Sequence, residues 1–88
     1  MKPLKRHRVF EKHFKQRVTP QKKVVEQFEK RLILFISGER GWPLNDHPLT
    51  GSLFGKRAFS VNSDIRVIYE EFDEFIVFLD IGSHNQVY

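Results

Sequence analysis

Two histidines stand where folded chains often present reactive groups. His47 lies in the proline-broken run Trp42-Pro43-Leu44-Asn45-Asp46-His47-Pro48-Leu49-Thr50-Gly51, and His84 follows Ile81-Gly82-Ser83. Histidine titrates near neutrality, so a pair can take and return a proton within one reaction. Arg66 is a cation set between Ile65 and Val67, suited to charge that develops on an anionic group. Each has a plainer reading too: loop histidines usually only hydrogen-bond, and a strand arginine commonly faces water. His7 and His13 fall in a basic segment and read as surface residues. The four histidines form no close H-x₃-H pair, and Asp80 with His84 lacks further ligands, so the pattern indicates no metal. Cysteine is absent, which removes thiolate nucleophiles, disulfides and iron–sulfur clusters. The nucleophile elbow of serine hydrolases, the P-loop and the dinucleotide fingerprint are also missing.

The elements that must position these residues follow from periodicity. Phe10, Phe14 and Val18 recur every four residues from a helix start near Arg8. Thr19-Pro20 then predicts an N-cap and first helical residue for a second helix. Its apolar stripe is Val24, Val25, Phe28, Leu32, Phe35 and Ile36, with Gly38 as the left-handed C-cap. A helical hairpin over about 8–38 is followed by a loop over 39–52, ordered or a broken extended segment. Three strand-like runs then form a β-meander over 53–82. Phe59 and Val61 share one face of the first, and Ile65, Val67 and Tyr69 one face of the second. In the third, Phe75, Val77, Leu79 and Ile81 are in phase. Residues 83–88 form a C-terminal segment, and Lys2 to Lys5 carries a weak edge-strand pattern. The expected class is α+β, a single domain with its N-terminal helical hairpin packed on an antiparallel sheet. The opposite sheet face, with Ala58, Ser60, Arg66 and Ile68, is then open for function.

At 88 residues a second domain is not expected, and 40% hydrophobic content is too high for a disordered chain of net charge +4. Charge is uneven: residues 1–36 hold eleven Lys or Arg against three Glu, whereas residues 37–88 hold four against eight acids. That asymmetry suggests a polyanion, although a solvated lysine-rich helical face explains it as well. The longest apolar run, Leu32 to Ile36, is far too short to span a bilayer, and no apolar stretch follows the basic N-terminus as in a signal peptide. A soluble cytoplasmic location is expected.

Several short motifs then carry a resemblance when taken in order: His47-Pro48-Leu49-Thr50-Gly51, Gly55-Lys56-Arg57, Asp64-Ile65-Arg66-Val67-Ile68-Tyr69, and the ending Leu79-Asp80-Ile81-Gly82-Ser83-His84-Asn85-Gln86-Val87-Tyr88. Together they resemble the RelE/ParE toxin superfamily of toxin–antitoxin pairs, nearest its YafQ-like branch. The likeness is carried by the C-terminal half, and the helices match only in size and pattern. It implies a RelE-like microbial RNase toxin fold and a ribosome-dependent mRNA endonuclease of a type II system. Such enzymes work by attack of a ribose 2′-OH on the adjacent phosphate, with no metal or other cofactor. Implied partners are a cognate antitoxin, the ribosome and mRNA in its A site. By position, His47 and His84 match two histidines of the YafQ-like site, and Asp64 its acidic residue in the turn. Arg66 matches a phosphate-binding arginine and Tyr88 the C-terminal aromatic that contacts RNA. Lys56 and Arg57 would assist with backbone phosphates.

Ala58 and Ser60 depart from that pattern, because YafQ-like enzymes place an acidic residue and another histidine there. Attenuated activity is therefore an alternative, as is a catalytically degenerate subunit that only binds the antitoxin. A ParE-like toxin that poisons gyrase would share the fold without needing proton-transfer groups. A basic hairpin that binds RNA without cutting it is a further rival.

Overall fold

The computed structural model describes residues 2–88. Its first strand, β1 (Leu4–Arg6), leads through His7 into α1 (Arg8–His13). His7 caps this helix: its Nδ1 accepts the Val9 N–H at 3.1 Å. The helix opens into a wide turn over Phe14–Val18, closed by the Thr19 N–H donating to the Phe14 carbonyl at 3.0 Å. Phe10 and Val18 are buried and Phe14 packs beside them, as the spacing of four predicts.

The second helix, α2 (Lys22–Ile36), begins later than expected. Thr19 has helical angles (φ −51°, ψ −39°) because it terminates the preceding turn, and an N-cap needs extended backbone. Gln21 takes that place, at φ −115° and ψ 92°. The stripe buries Val24, Phe28 and Phe35 and partly covers Val25 and Leu32, but Ile36 lies 48% exposed at its margin. Gly38 ends the helix at φ +97°, with its N–H on the Phe35 carbonyl and the Glu39 N–H on the Leu34 carbonyl. A residue with a β-carbon is strained at that angle, which explains the glycine.

Five strands, two more than the meander, form one sheet in the order β1-β5-β4-β3-β2. Two-residue β2 (His47–Pro48) runs antiparallel to β3 (Arg57–Ser60), followed by β4 (Ile65–Glu71) and β5 (Ile76–Ser83). Residues 53–56 thus precede the meander instead of opening it. On the far edge β1 pairs in parallel with β5, Leu4 opposite Ile76. A last short helix, α3 (His84–Val87), folds back from β5.

Phe59, Val61, Ile65, Val67 and Tyr69 face the helices as expected. The phase of β5 does not match expectation. Ile76, Phe78 and Ile81 enter the main core, while Leu79 joins a second cluster. The cause is a bulge: Ile68 faces Asp80 but Tyr69 faces Phe78, so Leu79 is an extra residue and the alternation flips there. Phe35 is at the centre of the core, with ring centroids 4.9 Å from Phe59, 5.0 Å from Tyr69 and 5.5 Å from Phe78.

The other sheet face is not open along its length. Leu49, Ala58 and Ile68 form a second buried cluster, packed by Leu53, Leu79 and Val87. The loop after β2 and helix α3 therefore cover part of the face, and Ser60 is only 8% exposed. No helix among the described residues is long and apolar enough to cross a membrane.

Candidate active site

Loop residues 41–46 hold His47 through buried anchors. Leu44 is fully buried, and its carbonyl accepts the Ser60 N–H at 2.7 Å. Asn45 adopts φ +50°, a left-handed conformation that asparagine tolerates better than most side chains. The Asp46 side chain is wholly buried. It accepts Arg57 Nε–H at 2.7 Å and the Tyr69 hydroxyl, with Arg40 Nε at 4.0 Å. Burial and the bond to Asp46 hold the Tyr69 proton far above the ordinary tyrosine range. The bond to Asp46 also pushes the Arg57 pKa up.

The His47 ring is exposed, with Nδ1 2.9 Å from the Asn45 carbonyl. A carbonyl only accepts, so Nδ1 must carry the proton, and Nε2 is the nitrogen left to act on a substrate. A cleft of about 460 Å³ lies between His47, the turn at Gly51–Leu53 and Tyr88.

Tyr88 reaches this cleft because α3 turns the chain back over the sheet. Ser83-His84-Asn85-Gln86 has the form of a capping box, and Gln86 Oε1 accepts the Ser83 N–H at 2.7 Å. Val87 then packs on the second cluster. The His84 ring lies edge-on to Tyr88 at 4.6 Å. Burial raises the Tyr88 pKa, partly offset by the nearby charge of Arg66, so its hydroxyl stays a proton donor at neutral pH.

Gly82 is what permits this close return. A β-carbon there would stand 2.6 Å from Arg17 Nη1, 2.8 Å from Gln86 Oε1 and 3.1 Å from Gln86 Cβ. Gly82→Ala is expected to break the Ser83–Gln86 clasp and cost about 1 kcal/mol. Faster amide exchange confined to residues 83–88, with a small drop in melting temperature, is the expected measurement; unchanged exchange there would contradict it.

The remaining expected residues are dispersed. Arg66 is folded onto its own turn, donating from Nη1 to the Asn62 carbonyl at 2.9 Å and from Nη2 to the Ser63 carbonyl at 3.2 Å. Asp64 is exposed on that turn but lines a separate cleft with Arg17, Ser83 and Gln86. Lys56 lies 4.0 Å from Glu70, and Arg57 is engaged by Asp46. His47 and Tyr88 share one cleft, with His84 against Tyr88 and Arg66 within electrostatic reach. Asp64 stands apart.

Sequence reasoning missed Asp46, whose only signal was its place beside His47 and whose residue type suggests a turn. It also read His13 as a surface residue. His13 Nδ1 lies 2.6 Å from Asp80 Oδ1, and Arg17 is 3.6 Å from the same oxygen. Among the described residues no group of three His, Cys, Asp or Glu side chains is placed to hold a metal ion.

A helical pair on one face of a five-stranded sheet, with a short C-terminal helix returned over the other, defines a small RelE-like toxin fold. The chain belongs to the YafQ family, described as bacterial toxins of type II toxin–antitoxin systems, which matches residues 2–88. Among solved structures, YafQ from E. coli strain BL21(DE3) is similar with a TM-score of 0.84 at 23% identity, covering 100% of this chain and 99% of that one. The E. coli DinJ–YafQ toxin–antitoxin complex gives 0.77 at 25% identity, covering 99% and 97%. A YoeB/ParE toxin from Agrobacterium tumefaciens gives 0.75 at 14%, covering 96% and 99%. No curated protein matches the sequence.

Proposed function

We propose that this toxin is a ribosome-dependent mRNA endonuclease, silenced by a cognate antitoxin. The observation that carries the reading is the arrangement around the cleft: His47, with its Nδ1 proton fixed, faces Tyr88, and His84 lies against Tyr88. Nε2 of His47 removes the proton from a ribose 2′-OH, and the oxygen attacks the adjacent phosphorus. The bond to the 5′-oxygen breaks, and His84 as imidazolium protonates that leaving group, leaving a 2′,3′-cyclic phosphate. The Tyr88 hydroxyl offsets charge on the phosphorane oxygens directly, and the nearby charge of Arg66 does so at longer range. Lys56 and Arg57 contact flanking phosphates, and Asp64, beyond Ser83, reads a base instead of moving a proton. These steps draw on side chains alone. The setting is the cytoplasm, with mRNA presented in the ribosomal A site. The E. coli complex of YafQ with DinJ supports an antitoxin as the second partner.

The test is mRNA cleavage on programmed ribosomes, comparing the native chain with a His47→Ala/His84→Ala double variant. Cuts made only by the native chain support the reading. Equal cutting by both would move the proton transfers to other groups.

A catalytically degenerate subunit is the second reading. It is favoured by the burial of Ala58 and Ser60, where the family pattern implies proton-transfer residues. No cutting by either protein, with antitoxin binding intact, would establish it over the first.

A further inference from the structure

Trp42 is 85% exposed, the most open large apolar side chain among the described residues. It borders a cleft of about 230 Å³ whose other walls include Arg31, Asn45, Ser63 and Arg66. Beside the indole stand cations, small polar groups and Pro43, not a broad apolar patch.

The two guanidinium groups are built in. Arg31 Nη1 donates to the Pro43 carbonyl at 2.9 Å and the Ser60 carbonyl at 2.8 Å, so α2, the loop and β3 all fix its position. Arg66 is held by the Asn62 and Ser63 carbonyls. Carbonyls orient a guanidinium without cancelling its charge. Among the described residues neither arginine has a carboxylate partner, whereas Arg40 and Arg57 both face Asp46. Two oriented, uncompensated cations beside an exposed indole suit a ligand with both a flat ring and a negative charge.

The cleft also adjoins the proposed catalytic one. Asn45 lines it and supplies the carbonyl that holds His47, while the charge of Arg66 is felt at Tyr88. Trp42 and Asn45 lie on the loop that leads into His47, so the two clefts are joined through it.

We propose that Trp42, Arg31 and Arg66 form a subsite for a nucleotide flanking the scissile bond of single-stranded RNA. The base stacks on the indole and its phosphate lies between the guanidiniums, a reading that rests on the nuclease function above. Base–aromatic stacking tolerates any sequence, so the subsite adds affinity and register without choosing a codon.

Trp42 is the chain's only tryptophan, so its fluorescence reports on this site alone. The probe is a labelled 2′-O-methyl RNA hexamer, which lacks the attacking hydroxyl and cannot be cut. Saturable quenching of Trp42, tracking the anisotropy of the hexamer, is expected. Trp42→Ala should bind about tenfold more weakly and Trp42→Phe should recover most of the loss. An exposed side chain gives these variants little reason to misfold. Equal binding by the native and Trp42→Ala proteins, or no quenching up to millimolar hexamer, would overturn the subsite. So would quenching by a bound protein partner but not by RNA, which would assign the surface to protein docking. Ribosome cleavage separates the two readings. Unchanged cutting and KM in Trp42→Ala overturns the subsite and leaves the nuclease, whereas quenching in a chain that cuts nothing supports the RNA contact and removes the nuclease.

Discussion

The His47→Ala protein is expected to cut ribosome-bound mRNA about 10²- to 10⁴-fold more slowly than the native chain, with its melting temperature unchanged. The size of the effect comes from losing general-base catalysis. The 2′-OH is a poor nucleophile until its proton is taken, and Nε2 is the free basic nitrogen that the geometry offers to this cleft. The fold should not respond, because the ring is exposed and its hydrogen bond is to the Asn45 carbonyl two residues away. Single-turnover cleavage with thermal melting measures both. Free imidazole should restore part of the rate in His47→Ala but not in His84→Ala at the same pH, because it replaces a missing base more readily than a correctly aimed acid. An undiminished rate in His47→Ala would remove the residue from the chemistry.

Asp46→Ala is expected to lower folding stability by about 2–4 kcal/mol, a large fraction of what a domain this small commands. The carboxylate is fully buried and receives both Arg57 and the Tyr69 hydroxyl. Truncation leaves a part-buried cation and a buried phenol without their acceptor, which costs more than the pair is worth intact. The loss would appear as a lower urea midpoint with an unchanged m-value, and an unchanged midpoint would refute it. Activity should fall too, because the same carboxylate anchors the loop that presents His47.

The network also has a pH signature. Burial, and then the bond to Asp46, hold the Tyr69 proton in the folded protein, while an unfolded tyrosine releases it near pH 10. Above that pH the unfolded chain binds fewer protons than the folded one, so stability is intact below about pH 10 and falls as pH rises further. Tyr88 is shifted in the same direction. Tyr69→Phe should therefore flatten the alkaline decline in part.

The local grammar of the chain determined much of this protein. The stripe of α2 and its end at Gly38 are set within a few residues, where helical period and φ preference act directly. The alternation of β4 is equally local, since Ile65, Val67 and Tyr69 point one way whichever strand lies beside them. The motifs around His47, Asp64, Arg66 and the C-terminal Tyr88 were enough to indicate the family, which the match over residues 2–88 shows.

Tertiary structure decided the rest, because it turns on partners distant in sequence. The three residues of β1 carry no strong pattern of their own and become a strand only by pairing with β5. The extra residue at Leu79 inverts the facing of β5, which a two-residue period cannot register. Asp46 has a turn former's identity, and only Arg57 and Tyr69 converging on it make it a buried anchor. The cleft itself exists because β2 joins the sheet edge while Gly82 lets α3 fold back, bringing His47 and Tyr88 from separate ends of the meander to one place. Residue type and spacing name the groups that can move a proton; only long-range packing determines which of them meet.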